Sequence, residues 1–216
     1  MALTYRALKL LAPYLHNARV LSLGYPDLVV PDTDFLGVKC TKYADTGRWH
    51  GVTHALPETL HVFDLLGSTL DCIDIHASRG CERVLDLNYP QPLADYDLVI
   101  DAGTIEHCFN IGQAILNAAG AVKVGGRIFH SPPMTMVNHG FYNLCPTLLH
   151  DFYKQNEWDL EHLSGWTMDK IGPVAETDRW HNAPAEVSLF CIAKRLHDGA
   201  FIFPTQQKYL DNPELK

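Results

Sequence analysis

Short, mostly apolar runs separated by polar turns dominate the chain. Nearly continuous apolar runs are typical of strands that are buried on both faces of a parallel sheet. We predict strands at 18–24, 70–75, 82–87, 97–101, 127–130, 159–163 and 187–193. Apolar residues recur at helical spacing in four other segments, 3–12, 57–66, 111–122 and 147–156. Strands that alternate with helices predict a single α/β domain over 1–216, built on a mostly parallel seven-stranded sheet with flanking helices.

The connections between these elements differ from the usual lengths. About 45 residues separate Gly24 from Leu70, far more than one crossover helix requires, and we expect 30–54 to be an insertion near the ligand or a lid. Only 76–81 link the second and third strands, so we predict a tight irregular crossing without a helix. The C-terminal tail, 201–216, is expected to pack on the domain or on a partner.

Charge and cysteine usage exclude several classes of partner. The chain carries 17 basic and 25 acidic residues, a net charge of −8, which argues against a nucleic acid or an anionic membrane surface as partner. The chain contains no run of 18 consecutive apolar residues, so we predict no membrane-spanning helix. The six cysteines show no zinc spacing, and we expect a reduced, cytoplasmic protein.

Histidine is abundant, with 12 residues, and this raises metal binding and acid–base chemistry as questions. His50 and His54 stand four residues apart, but Gly51 and two β-branched neighbours make a chelating helix improbable there. We therefore predict no metal site.

Carboxylates follow three successive predicted strands. Asp74, Asp86 and Asp101 stand at the ends of the second, third and fourth strands. Ligands of open α/β sheets bind at the carboxyl ends of the strands, where a carboxylate can accept hydrogen bonds from ribose hydroxyls or an adenine amine. The alternative interpretation is that strand ends are simply polar.

The order of these segments resembles the class I S-adenosylmethionine-dependent methyltransferases. Tyr96–His107 is similar to their fourth motif, Val122–Arg127 to the turn before their fifth strand, Leu70–Ile75 to their second motif and 86–88 to their third. The resemblance covers about 18–135 and implies a Rossmann-like class I fold with S-adenosyl-L-methionine as cofactor. The segment 138–146, "NHGFYNLCP", also resembles an uncharacterised bacterial and phage branch of these enzymes.

The resemblance implies a set of cofactor residues at the strand ends. Gly24 would face the methionine portion, Asp74 the ribose, and Asp86 with Leu87 the adenine. The end of the fourth strand completes the set with Asp101, Ala102 and Gly103.

The loop after the first strand departs from the family pattern. Ser22 stands where the acid is usual, and Pro26, which has no N–H donor, stands where a second glycine is usual. Asp27 could replace the missing acid from a shifted position. A domain that has lost its cofactor and serves as a binding or assembly module is therefore the alternative to an enzyme. A lone Gly24 does not fit the GxGxxG pattern of nicotinamide-dependent dehydrogenases.

Three histidines are expected on the same rim of the sheet. We predict His139 or His107 as the base that deprotonates a methyl acceptor, because imidazole titrates near neutral pH. His130, Tyr142 and Asn143 are predicted to contact the substrate. The predicted reaction is in-line methyl transfer to a small molecule, such as a sugar or another hydroxyl compound. The alternative for His107 is a structural role that braces its turn.

Overall fold

The computed structural model describes residues 1–167, 171, 172, 174, 183–212 and 214. Its strands are β1 (Ala2–Thr4), β2 (Arg19–Leu23), β3 (Asp27–Val29), β4 (Tyr43–Ala44), β5 (Leu56–Pro57), β6 (Thr69–Asp74), β7 (Glu82–Val84), β8 (Tyr96–Asp101), β9 (Val122–His130), β10 (Asp159–Trp166), β11 (Ile171–Gly172) and β12 (Ser188–Lys194). Its α-helices are α1 (Tyr5–Leu11), α2 (Thr59–Leu65), α3 (Ile111–Ala121), α4 (Pro146–Gln155) and α5 (Gln207–Asp211). Short 3-10 helices span Ala12–Tyr14, Asp34–Leu36, Gly47–His50 and Ile105–His107.

One sheet organises the domain, with the strand order β11-β10-β12-β9-β8-β2-β6-β7. The five strands from β9 to β7 are parallel, whereas β12 and β10 add antiparallel pairs. The sheet therefore has the seven predicted strands, and the two-residue β11 extends it at one edge. The strand order reverses between β2 and β8, and the crevice beside such a switch point is where α/β sheets bind ligands.

Both faces of the sheet are covered, as the continuous apolar strands predict. Alternate strand residues point to opposite faces, so Leu21 and Val99 pack with α3 and α4, whereas Val20 and Leu98 pack with α1 and α2. These four side chains are all fully buried. The sheet is thus a rigid platform whose carboxyl edge holds the ends of β2, β6, β7 and β8.

The link between β6 and β7 crosses without a helix, as predicted from its length. The buried carboxylate of Glu82 holds this crossing, because it accepts hydrogen bonds from the backbone N–H groups of Arg79 (2.9 Å) and Cys81 (3.1 Å). The loop N–H groups that would be bonded within a helix are bonded here to a side-chain carboxylate. Parallel pairing of β6 with β7 is kept in spite of the short connection.

The start of the chain differs from the prediction. The helical pattern over 3–12 becomes a short strand, β1, followed by α1. β1 pairs in parallel with β3, which follows Gly24, so β3 stands where the class I pattern has a helix directly after the first strand. The helix that crosses from β2 to β6 is α2, after the predicted insertion.

The predicted insertion, 30–54, contains two 3-10 helices and β4, which pairs with β5. Its first part packs in the core, where Val30, Leu36 and Cys40 are buried with residues of the sheet, and its later part is attached through Asp27 of β3. The carboxylate of Asp27, almost fully buried, accepts hydrogen bonds from Arg79 (2.5 Å) and lies 2.8 Å from Nε2 of His50. The guanidinium of Arg79 also lies over the ring of Trp49. Asp27 therefore fastens the insertion to the β6–β7 crossing.

Candidate functional site

A cavity of about 340 Å³ lies at the carboxyl ends of β6, β7 and β8, in the size range of small-molecule sites. Asp74, the last residue of β6, and Asp86, just after β7, both line it. The turn that follows β8, called the β8 turn and including Gly103 and Thr104, closes the other side. The lining residues are Met1, Ile73, Asp74, Ile75, Leu85, Asp86, Leu87, Asn88, Gly103, Thr104, His107 and Cys108.

The two acids in this first cavity are held by local backbone bonds. Oδ1 of Asp74 accepts a long bond from the N–H of His76 (3.3 Å), and Oδ1 of Asp86 accepts from the N–H of Asn88 (2.9 Å). Both acids are partly exposed to the cavity. A carboxylate oriented in this way has lone pairs free for hydroxyl or amine donors of a ligand.

Gly24 lies beside Asp74, at the end of β2. Its φ is +82°, and a Cβ added there would lie 3.1 Å from Cε of Met1 and 3.3 Å from Oδ2 of Asp74. Glycine is therefore favoured there by the left-handed backbone conformation, and the space beside it is tight. The side chain of Met1 lies across this position, with its Sδ 2.8 Å from the hydroxyl of Thr104. The end of β2 is thus tightly packed by side chains.

A second cavity, of about 390 Å³, adjoins the first and shares Met1, Gly103 and His107 with it. Ala102 lies in its wall, and His50 brings the insertion to its edge. The lining residues are Met1, Ala2, Thr4, His50, Ala102, Gly103, Glu106, His107, Ser131, Pro133, Met136, His139, Trp166 and Ser188. The pair of cavities offers space for two ligands in contact across the β8 turn.

Glu106, His107 and His139 form a carboxylate–histidine cluster in the wall of this second cavity. Glu106 is fully buried, and neither carboxylate oxygen has a hydrogen-bond partner within the described part of the chain. Oε1 of Glu106 lies 3.8 Å from Nε2 of His107 and 3.6 Å from Nε2 of His139. Burial and the nearby Asp101 raise the pKa of Glu106 to about 8. Burial and the neighbouring His139 lower the pKa of His107, which favours its neutral, acceptor form.

Asp101, His130 and Tyr153 form a second carboxylate–histidine cluster, which is closed. All three are fully buried. Asp101 lies 2.7 Å from Nδ1 of His130, and the other ring nitrogen lies 2.5 Å from the hydroxyl of Tyr153. Burial raises the pKa of Tyr153 well above its usual value, so its O–H donates to Nε2 and the Nδ1–H of His130 donates to Asp101. Asp101 also accepts the N–H of Thr104 (2.9 Å).

This closed cluster corrects two predicted roles. His130 is not exposed to either cavity, because both of its ring nitrogens bind buried partners. The side chain of Asp101 likewise points away from the first cavity and braces the turn that follows β8. His130 is therefore not placed to contact a substrate in either cavity, and the carboxylate of Asp101 is not placed to reach a cofactor in the first cavity.

Tyr142 and Asn143, predicted as substrate contacts, lie outside the lining of both cavities. The hydroxyl of Tyr142 donates to the backbone oxygen of Phe109 (2.8 Å), and Oδ1 of Asn143 accepts the N–H of Met136 (2.9 Å). Both side chains instead fix the segment that carries His139. Asp27 does not replace the missing acid at the first cavity either, because its carboxylate binds Arg79 and His50.

The structure brings most of the remaining predicted residues together. Asp74, Asp86, Leu87 and Gly103 line the first cavity, and Ala102, His107 and His139 line the second. Sequence reasoning missed Glu106, Met1 and Thr104 as site residues. The adjacent "EH" pair held a signal for Glu106, but no pattern indicates that Met1 returns to the end of β2.

Comparisons with known proteins find similarity in structure alone. No protein-family model matches the chain, and no curated protein matches its sequence. The crystal structure of TehB from Haemophilus influenzae matches 88% of this chain with a TM-score of 0.51 at 16% identity, and the chain spans 60% of the length of that structure. A Burkholderia thailandensis 1,6-didemethyltoxoflavin-N1-methyltransferase, solved with 1,6-didemethyltoxoflavin and S-adenosylhomocysteine, gives a TM-score of 0.49 at 14% identity over 89% of this chain and 78% of its own.

The strand order and the structural match define the fold class. The chain has a Rossmann-like class I fold, with a mostly parallel central sheet and flanking helices. Among the residues that the structure describes, no helix is both long enough and apolar enough to cross a bilayer.

Proposed function

We propose that the chain transfers a methyl group from S-adenosyl-L-methionine to a small-molecule acceptor. The observation that carries this proposal is the pair of adjoining cavities at the carboxyl edge of the sheet, which share Gly103 and His107. Methyl transfer is an in-line displacement that needs donor and acceptor to be held in contact and aligned. Two cavities with a common wall provide that arrangement.

The residues of the first cavity suit the adenosine half of the cofactor. Asp74 offers a carboxylate for the two ribose hydroxyls, and Asp86 offers an acceptor for the exocyclic amine of adenine. Leu87 and Ile75 add apolar surface for the base. The cofactor supplies a methyl group on a sulfonium, a good leaving group, so the protein's own contribution is to bind and orient.

The methionine half of the cofactor has fewer fitting groups. Gly24 ends β2 beside Asp74 without a side chain of its own, but it does not line the cavity, and Pro26 offers no N–H donor. The side chain of Met1 lies against Gly24, so we expect it to shift when the cofactor binds. Gly103 and Thr104 complete this end of the cavity.

The acceptor is proposed to enter the second cavity. His107 and His139, each about half exposed, line it together with Ser131 and Ser188. We propose that the two histidines activate the acceptor, either directly as bases that remove its proton or indirectly as ligands of a bound ion. The serine hydroxyls can hydrogen-bond to a polar acceptor such as a sugar. The net charge of −8 disfavours a nucleic acid as acceptor.

A cofactor-free binding or assembly module is the second candidate function. The specific observations in its favour are β3, which replaces the helix usual after the first strand, and Met1, whose side chain fills the space above Gly24. In this alternative the cavities bind a ligand without chemistry.

Calorimetric titration with S-adenosylhomocysteine separates the two functions. We expect micromolar binding to the wild-type chain and a loss of about tenfold or more in Asp74→Ala, because charged hydrogen bonds contribute about 1.5–3 kcal/mol each. Asp64→Ala, an exposed acid on α2, is the matched control and should bind like wild type. If no binding is detected at millimolar S-adenosylhomocysteine, the proposal of methyl transfer is overturned and the cofactor-free binding module is favoured.

A further inference from the structure

Glu106 is a buried carboxylate that lacks the partners such a group requires. Among the residues that the structure describes, no other carboxylate is buried with both oxygens unpaired. An isolated buried carboxylate is expensive unless a hydrogen bond, an ion pair or a metal compensates it. Glu106 is fully buried in the protein, yet it lines the second cavity. The missing partner is therefore expected to come from that cavity.

Two imidazole nitrogens flank this carboxylate. The distances of 3.8 and 3.6 Å from Oε1 of Glu106 to His107 and His139 are too long for hydrogen bonds. Ligand atoms that each lie about 2.0–2.2 Å from one ion stand roughly 3–4 Å apart. The three candidate ligand atoms all lie within 4.8 Å of one another, so small side-chain rotations bring them to a common centre.

The backbone builds this cluster from two distant segments. A Cβ added to Gly140 would lie 2.9 Å from the backbone oxygen of Glu106 and 3.1 Å from Nδ1 of His107, so only glycine permits the contact. The same oxygen of Glu106 accepts the N–H groups of Phe141 (2.9 Å) and Tyr142 (3.3 Å). His139 is therefore held beside the β8 turn by main-chain bonds.

We propose that Glu106, His107 and His139 bind one divalent first-row transition-metal ion, of which Zn²⁺ is the first probe. Two imidazoles and one carboxylate are a ligand set that Zn²⁺ and Fe²⁺ use where further coordination positions stay open. Here the open positions face the second cavity. This proposal departs from the sequence prediction that the chain holds no metal.

Only the role of the ion rests on the proposed function. If an acceptor oxygen coordinates the ion, its hydroxyl proton is lost more easily, and the two histidines act as ligands instead of bases. Metal binding itself does not depend on methyl transfer. His50, the other histidine of this cavity, is already engaged by Asp27.

The test is a direct titration of the chelator-treated full chain with Zn²⁺, and with Co²⁺ to read the visible d–d spectrum. We expect one ion per chain at micromolar affinity or tighter, and a Co²⁺ spectrum of low coordination number. Glu106→Gln and His139→Ala should each weaken binding by about 100-fold, because each removes a ligand. His16→Ala, an exposed histidine outside the cluster, should bind as wild type does.

Two results would overturn the metal site: no saturable binding to the wild-type chain, or equal affinity in wild type, Glu106→Gln and His139→Ala. Circular dichroism of each variant verifies folding, and Glu106→Gln keeps the shape of the side chain. S-adenosylhomocysteine titration of the same samples reports separately on the proposed function, so the failure of one is distinguishable from the failure of the other.

Discussion

Two carboxylate–histidine clusters begin five residues apart in the chain, yet they are built to opposite rules. Asp101 is surrounded by donors from His130, Thr104 and Ile105, whereas neither oxygen of Glu106 makes a hydrogen bond to any residue that the structure describes. Both carboxylates are fully buried. A satisfied buried network stabilises a fold, and an unsatisfied one marks a place where a ligand is expected. Both residues lie at the turn that follows β8, so their positions in the sequence do not separate these roles, whereas their hydrogen-bond partners do.

Removing Asp101 gives the largest expected effect. Asp101→Ala leaves His130 and the amide of Thr104 without their acceptor in the core, and breaking such a buried pair costs about 3–5 kcal/mol. Urea denaturation monitored by circular dichroism measures the free energy of unfolding. Glu106→Ala, which removes no hydrogen bond, should cost clearly less. Equal losses in the two variants would contradict the contrast between the clusters.

Glu106 is expected to make the metal-free chain less stable as pH rises. Its pKa is about 8 in the folded chain and near 4.5 when exposed. Between these values the folded state holds a proton that the unfolded state has released. The free energy of unfolding therefore falls with rising pH, by on the order of a few kcal/mol across this window.

The groups that face Glu106 are Asp101, His107, His139 and the N-terminal amine of Met1, so the effect of Glu106 has to be separated from theirs. The contribution of Glu106 is therefore measured as the difference between wild type and Glu106→Gln in chelator-treated samples at each pH. A difference that does not change between pH 5 and pH 8 would show that Glu106 is ionised throughout.

Tyr153→Phe tests the closed cluster more gently. The substitution keeps the ring among Phe152 and Trp158 but leaves Nε2 of His130 without a donor. An unsatisfied buried acceptor costs about 1–3 kcal/mol. We expect the urea midpoint of unfolding to fall, because the free energy of unfolding decreases, while Zn²⁺ affinity stays unchanged. A parallel drop in Zn²⁺ affinity would mean that the two clusters are coupled.

Tyr142→Phe should have the smallest effect. It removes one exposed hydrogen bond, from the hydroxyl to the oxygen of Phe109, worth about 0.5–1.5 kcal/mol. Because this bond helps fix the segment that carries His139, we expect Zn²⁺ affinity to fall by a few-fold. Asn143→Ala is the companion variant, since it frees the N–H of Met136 in the same segment. Unchanged affinity in both would show that main-chain bonds alone position His139.

Much of the fold follows from the chain pattern, because buried parallel strands leave a strong apolar signal. The predicted strand end at Asp74 is confirmed, whereas β7 ends at Val84, two residues before Asp86, because its exposed residues give only a weak apolar signal. β1 and β3 were not foreseen, because Leu3 fits a helix face as well as a strand and only the distant partner decides.

The site was less predictable than the sheet. His130 ends an apolar strand in the same way as Asp74 ends another, and only the tertiary partner Tyr153 shows that it is closed off. Glu106 and His139 are 33 residues apart in the sequence, and Gly140 gives no local indication that it packs on Glu106. Side-chain pairing between distant segments is set by packing and is invisible in a periodic pattern.

The attachment of the insertion to Asp27 has a consequence for the order in which the chain folds. Asp27 joins His50 of the insertion to Arg79, which lies on the β6–β7 crossing, so this end of the insertion docks only after those strands have paired. A segment that docks last on a finished platform is also expected to open first. In amide hydrogen exchange, we therefore expect 45–54 to lose protection long before β2 and β8, and before the buried Leu36 and Cys40 at the start of the insertion. The second cavity, which His50 lines, gains its widest entrance in that partly open state.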